Sequence, residues 1–146
     1  MGIYVTREDL LANDASLVWN MAVDKATQQL DDVKIDAAIQ DTDAEINSIL
    51  SRRYQMPLAL PDIPRPLRRA AISIAIYWLS ERDNQITELI QKRYDDAVRT
   101  LKEMASGARD LGLPQDAQPA ETGSGSVLTV GENPRLFTRN NLKGVL

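Results

Sequence analysis

Pro66-Leu67-Arg68-Arg69-Ala70-Ala71-Ile72-Ser73-Ile74-Ala75-Ile76-Tyr77-Trp78-Leu79 is the stretch whose reading decides the fold. Pro66 presets φ for a first helical turn, and ten of the thirteen residues from Leu67 to Leu79 are apolar or alanine. A helix from Leu67 to about Arg82, covered on most sides, is therefore expected at the centre of a core. Its apolar run, Ala70 to Leu79, is ten residues long, about half of the ~20 that a bilayer-spanning helix needs.

Upstream, Pro57, Pro61, Pro64 and Pro66 force an extended connector, because each fixes its own φ and biases the residue before it away from helix. Before that elbow a helix is expected from about Asp32 to Tyr54, stopped by Pro57. Its apolar stripe is Ile35, Ile39, Ile46, Ile49, Leu50 and Tyr54, with Asp36, Asp41, Asp43 and Glu45 in water. Two shorter segments precede it. One is capped by Thr6 and ends near Asn13; the other, Leu17 to about Leu30, is capped by Asp14 or Ser16. Downstream, Ile86, Ile90, Tyr94, Ala97, Leu101 and Met104 recur in steps of four and three, so a last helix should run from about Ile86 to Ala105 and close on Gly107 in the left-handed conformation. The expectation is an all-α bundle of four to five helices.

Beyond Asp110 the composition changes. Gly112, Pro114, Pro119, Gly123 and Gly125, with Ser, Gln and Ala between them, read as a flexible linker over 111–125. Residues 126–146 regain order signals: Ser126 to Val130 alternates like a short strand, and Leu136 to Arg139 repeats the pattern after Pro134. This extended C-terminal arm could form a short β-hairpin or strand, yet a lone strand pair has nothing to pack on. Phe137, with Leu128, Val130 and Leu136, must fold back on residues 1–110 or dock on another chain. The long linker favours docking, since it is wasted on a local fold-back.

With 146 residues and 43% apolar content, one folded domain is expected. The chain has no His and no Cys, which removes the usual zinc ligands, disulfides, thiolate nucleophiles, haem and iron–sulfur ligation and any His-centred triad. The net charge of −4 is the wrong overall sign for a protein that lives on nucleic acid or on an anionic membrane. That charge is uneven: residues 1–61 carry 10 acidic and 5 basic side chains, while residues 62–110 carry 8 and 9. Such an asymmetry suits two faces of opposite sign that attract copies head to tail, although scattered solvated charges are the commoner explanation.

Met1 to Thr6 has no basic segment followed by a long apolar run, so no secretory signal is expected. Met1-Gly2 with Thr6 fits the loose myristoylation pattern, but no basic cluster or cysteine supplies the second signal that stable anchoring needs.

Catalytic readings are weak. Asp41, Asp43 and Glu45 lie close in sequence, but residues two apart on a helix do not face each other, and on the polar face nothing would desolvate them, so a solvated surface is expected. Magnesium could meet Asp36, Asp43 or Asp95-Asp96, but no ligand-bearing loop spacing appears. Ser73 is expected to bond back to a carbonyl one turn earlier rather than act as a nucleophile, and Gly123-Ser124-Gly125 is a linker rather than a phosphate cradle. The chain reads as a non-enzyme, with no catalytic residue, metal or cofactor.

Two basic sets remain. Arg65, Arg68 and Arg69 open the most apolar helix, where positive charge opposes the helix dipole, so an acidic partner is expected: Asp62 nearby, or a carboxylate-rich face of a neighbouring subunit. Arg135, Arg139 and Lys143 surround Phe137 as an interface anchor with flanking charges. The partner-interface candidates are thus Arg65, Arg68, Arg69, Leu128, Val130, Arg135, Leu136, Phe137, Arg139 and Lys143. An alternative use of the first set is a small helical nucleic-acid-binding or regulatory module.

The run Asp43-Ala44-Glu45-Ile46-Asn47 through Arg53-Tyr54-Gln55-Met56-Pro57-Leu58 resembles the signature of a small protein of Mu-like phages and prophages. Further blocks agree in order: Ile63 to Leu67 leading to Tyr77-Trp78-Leu79; Arg93-Tyr94, Ala97, Leu101-Lys102, Ala105-Ser106-Gly107 and Leu111-Gly112; and Arg135 to Arg139, then Lys143-Gly144. Residues 13–31 and 112–133 lie outside the resemblance. It implies a helical head-tail connector, or head-completion adaptor: a virion structural protein of the head-tail neck, made in the bacterial host cytoplasm. The implied assembly is a ring of about twelve copies, with closed heterologous contacts. Its implied partners are the portal protein and a tail-side stopper or tail terminator protein, with genomic DNA passing through the channel without specific binding and no membrane contact.

Overall fold

The computed structural model describes residues 2–58 and 60–111. Within them lie four helices: α1 (Arg7–Ala22), α2 (Asp32–Leu50), α3 (Arg65–Arg82) and α4 (Glu88–Ser106). No strand is formed among the described residues, and the architecture is the expected small all-α bundle. No helix among them is long and apolar enough to cross a membrane. The linker from 112 onward and the arm 126–146 lie outside the described residues.

The helix ends follow local chemistry. Thr6 caps α1 through a reciprocal box, with Asp9 N–H donating to the Thr6 hydroxyl at 3.2 Å and Thr6 N–H to the Asp9 carboxylate at 3.0 Å. At Asp14 the backbone leaves the helical region, and the Asp14 carboxylate accepts from Leu17 N–H at 3.0 Å. The two expected N-terminal segments are thus one kinked helix whose second half is capped by Asp14.

That second half ends at Ala22 instead of Leu30. The Asp24 carboxylate accepts from Ala26 N–H at 2.8 Å and the Thr27 hydroxyl at 3.1 Å, offering the backbone a turn in place of helix. A single antiparallel bridge, Val23 to Leu30, closes the loop. Asp31 then caps α2, accepting from Val33 and Lys34 N–H. This helix ends at Leu50, short of the expected Tyr54, in a turn that leaves the Tyr54 side chain buried.

Pro66 occupies the first turn of α3, as expected, and no side chain caps that end. Thr87 caps α4, so Ile86 lies before the helix and is exposed. At its other end Gly107 adopts φ +81°, with the Arg53 guanidinium lying where a Cβ would stand. Gly2 is equally constrained, since a Cβ there would meet the Val5 carbonyl and Ile39.

α3 is the hub, packing against α1, α2 and α4. It buries Leu67, Ala70, Ala71, Ile74, Ala75, Ile76 and Leu79. Around it close Leu10, Val18 and Met21 of α1, Ile35, Ile39, Ile46 and Leu50 of α2, and Ile90, Ala97, Leu101 and Met104 of α4. Each large aliphatic among them contributes about 1.5–3 kcal/mol by leaving water. Leu111, one residue beyond the boundary drawn at 110, is also buried.

Candidate functional site

The carboxylates of α2 do not all stay in water. Glu45 spans two helices: one oxygen accepts from the Trp78 indole N–H of α3 at 2.9 Å and the other from the Tyr94 hydroxyl of α4 at 2.7 Å. Tyr77 stacks on Tyr94 with ring centroids 4.0 Å apart and meets Trp78 edge-on at 5.7 Å. Burial, followed by the hydrogen bond and charge of Glu45, pushes the Tyr94 phenol above its ordinary range.

Asp43 receives the N–H groups of Ile3 and Tyr4, at 2.7 and 3.2 Å, and Asn47 accepts from the Tyr4 hydroxyl. Asp41 pairs with Arg82. The Asp43-Ala44-Glu45-Ile46-Asn47 run is therefore a structural tie from α2 to Ile3 and Tyr4, to α3 and to α4, and the expectation that Asp41, Asp43 and Glu45 form a solvated surface is corrected. These groups are engaged as acceptors of hydrogen bonds or ion pairs.

Glu45 and Trp78 fix which side of α3 faces α2, and helical geometry then places its opposite side. Arg69 stands nine residues before Trp78, half a turn out of phase at about 100° per residue. On that far side an open groove of about 540 Å³ runs between α3 and α4. Arg65, Pro66, Arg69, Ala70 and Ser73 line it from α3, and Arg93, Asp96, Ala97 and Thr100 from α4, with Arg109 at its end. A second recess of about 300 Å³ shares Arg69, Ser73 and Arg93 and reaches the α1 kink at Asn13 and Asp14.

The floor is open because Ala70 and Ala97 are small. Ser73 donates to the Arg69 carbonyl at 3.2 Å, as expected of a helical serine. Asp96 is held by Arg99 at 2.6 Å, and Arg109 pairs with Glu103 at 3.3 Å. Arg65, Arg69 and Arg93 form no ion pair among the described residues. Planar guanidiniums so placed can grip a carboxylate or phosphate bidentately.

Of the three α3 arginines named from sequence, the structure brings Arg65 and Arg69 into the groove. It turns Arg68 onto Asp62 at 3.1 Å, the local partner expected for the set. Arg93, which is not among the partner-interface candidates named from sequence, joins Arg65 and Arg69 from α4. The sequence signal for it is the pair of small residues, Ala70 and Ala97, that lets arginines of two helices share one trough. Leu128, Val130, Arg135, Leu136, Phe137, Arg139 and Lys143 lie outside the described residues. Among the described residues no three acidic side chains gather where they could hold a metal ion.

The family model described as "Bacteriophage Mu, Gp36" matches residues 4–130. The chain belongs to that family. It is 31% identical to the Mu-like prophage FluMu protein gp36 of Haemophilus influenzae over 147 aligned positions, covering the whole of both chains. It is also 31% identical to gene product J of Escherichia phage Mu over 114 positions, or 78% of this chain and 77% of that protein. The resemblance seen in the Asp43–Asn47 and Arg53–Leu58 runs is thereby established as membership. Within the matched range, Asp43, Glu45 and Asn47 tie the chain together, while the groove arginines remain open to solvent.

Proposed function

We propose that this chain is a virion structural protein, a head-tail connector or adaptor of a Mu-like phage that assembles as a ring between the portal and the tail-side components. The observation that carries the reading is the groove: Arg65, Arg69 and Arg93 present cationic groups to solvent along one trough and form no ion pair among the described residues. A polypeptide partner supplies the missing carboxylates and covers the small-residue floor.

Membership of a Mu-like phage protein family supports this reading, and a helical core offering a docking groove suits an adaptor. In this reading about twelve copies form the ring, matching the portal, through heterologous contacts. The arm 126–146 docks on a neighbouring subunit or on the portal through Phe137, Leu128, Val130 and Leu136, flanked by Arg135, Arg139 and Lys143. Genomic DNA passes through without specific binding, which agrees with a net charge of −4.

The test is imaging of purified particles together with mass spectrometry of their protein content. The chain is expected at the head-tail neck in ring stoichiometry, and its absence from intact particles overturns the proposal. Deleting residues 120–146 should leave the helical circular-dichroism signal intact and block incorporation. Phe137→Ala should mimic the deletion, since a buried interface aromatic commonly contributes about 2 kcal/mol or more.

A further inference from the structure

We infer that the α3/α4 arginine groove receives the outer stripe of α2 from a second copy of this chain, with Asp36 as the central carboxylate. The inference rests on the adaptor reading and names the contact through which copies meet.

Helix phase sets the two surfaces apart. Asp36 stands nine residues before Glu45, just as Arg69 stands nine before Trp78, and nine residues amount to two and a half turns. Glu45 and Trp78 are bonded to each other, so Asp36 lies on the flank of α2 opposite the one that reaches Trp78, and Arg69 lies on the flank of α3 opposite the one that reaches Glu45. An exposed carboxylate on α2 and a cationic trough between α3 and α4 thus lie on different surfaces of one bundle. A surface that meets a different surface of its neighbour is what a ring or filament requires, whereas a closed twofold dimer does not.

The stripe also fits the trough in shape and chemistry. Asp36 is exposed and has no ion-pair or hydrogen-bond partner among the described residues. One turn before it, Val33 is 79% exposed, the most exposed large hydrophobic residue among those described. A carboxylate beside an aliphatic knob matches arginines standing beside a floor of Ala70 and Ala97. Asp32, on the same edge, is already held 3.0 Å from Arg7 Nε, so Asp36 is the carboxylate available to Arg69 and Arg93. Burying Val33 on the alanine floor would add apolar contact and keep water from the ion pairs, which strengthens them.

The heterologous geometry gives a test that a merely local role cannot mimic. Asp36→Lys alone sets lysine against arginine, and Arg69→Glu with Arg93→Glu sets carboxylate against carboxylate. Each variant should therefore self-associate at least ten-fold more weakly than wild type in sedimentation velocity or native mass spectrometry at about 0.1 M salt. Mixed together, every contact between unlike copies is complementary, so the equimolar mixture should recover assemblies that alternate the two variants. Circular dichroism of each variant should match wild type, because all three positions are exposed.

Undiminished self-association of the single variants, or a mixture that fails to recover, overturns the contact. A wild-type chain that stays monomeric across the concentration range does the same. If the arginine variant instead loses binding to a short DNA duplex while self-association is unchanged, the groove seats phosphate and the inference is likewise overturned. In any of these cases, finding the chain in purified particles leaves the adaptor reading standing, whereas its absence removes that reading by itself.

Discussion

The two sides of α3 are a controlled comparison within one helix. Toward α2, Trp78 donates to Glu45, whose second oxygen is taken by Tyr94. Away from α2, Arg65 and Arg69 face a trough whose Asp96 is already bound by Arg99. The first side is polar chemistry closed on itself, and such networks hold helices in one register. The second leaves cationic groups unanswered, and their desolvation would be costly without incoming carboxylates. Stability should therefore depend on the first side and association on the second.

The largest effect on folding should come from Glu45→Ala, which leaves the Trp78 N–H and the Tyr94 hydroxyl without their acceptor. Hydrogen bonds to a charged group are worth about 1.5–3 kcal/mol each, so a loss of roughly 3 kcal/mol is expected in urea unfolding, with Tm lower by on the order of 10 °C. Glu45→Gln retains an acceptor for Trp78 and should lose about a third as much. If Glu45→Ala unfolds at the wild-type urea midpoint, Glu45 is solvated and the comparison between the two sides fails.

Next in size is Gly107→Ala. The φ of +81° costs a side-chain-bearing residue about 1–2 kcal/mol, and the new Cβ would displace the Arg53 guanidinium. Loss on that scale in equilibrium unfolding is expected, with helix content unchanged. The same measurement on Arg53→Ala, Gly107→Ala together should show less than additive loss, because the clash is then removed.

Alkaline pH sharpens the comparison through Tyr94. Its phenol holds its proton more tightly in the folded chain than in the unfolded one, first through burial and then through Glu45. Between the unfolded value near 10 and the raised folded value, the native state binds more protons, so stability falls as pH rises. The contribution is fully present below pH 10. Unfolding free energies measured from pH 8 to 11 should decline steeply in wild type and less in Tyr94→Phe. Tyr4, raised mainly by burial, adds a slope of the same sign. A wild-type curve parallel to that of Tyr94→Phe would show that the phenol is not held by Glu45.

Much of this bundle was legible beforehand. Pro66 at the start of α3, Thr6 as a cap, Gly107 as a closing residue and the isoleucine stripe of α2 are local signals, and all reappear in the fold. What escaped was set between helices. Nothing in the spacing of Asp41, Asp43 and Glu45 tells that an indole and a phenol of two later helices converge on Glu45, so that face read as water-exposed. Arg93 escaped for the same reason, since it joins Arg65 and Arg69 only once α4 lies alongside α3. The segment after Ala22 failed more locally, where the Asp24 side chain captured the backbone that a helix needed.

The smallest expected effect is the one that separates the two sides most cleanly. Arg65, Arg69 and Arg93 are exposed and make no ion pair among the described residues, so truncation removes little that the isolated fold uses. Arg65 also sits where its charge opposes the α3 dipole, so its loss should be neutral or slightly favourable. Arg65→Ala, Arg69→Ala and Arg93→Ala are each expected to shift unfolding by no more than about 0.5 kcal/mol. Arg68→Ala, which breaks the exposed pair with Asp62, should lie in the same range. If one groove variant instead loses about 2 kcal/mol, that arginine is holding its own bundle together and is not waiting for a partner. Unchanged stability together with weakened particle incorporation would assign the residue to the docking side, because the energy it supplies then appears only when a second polypeptide fills the trough.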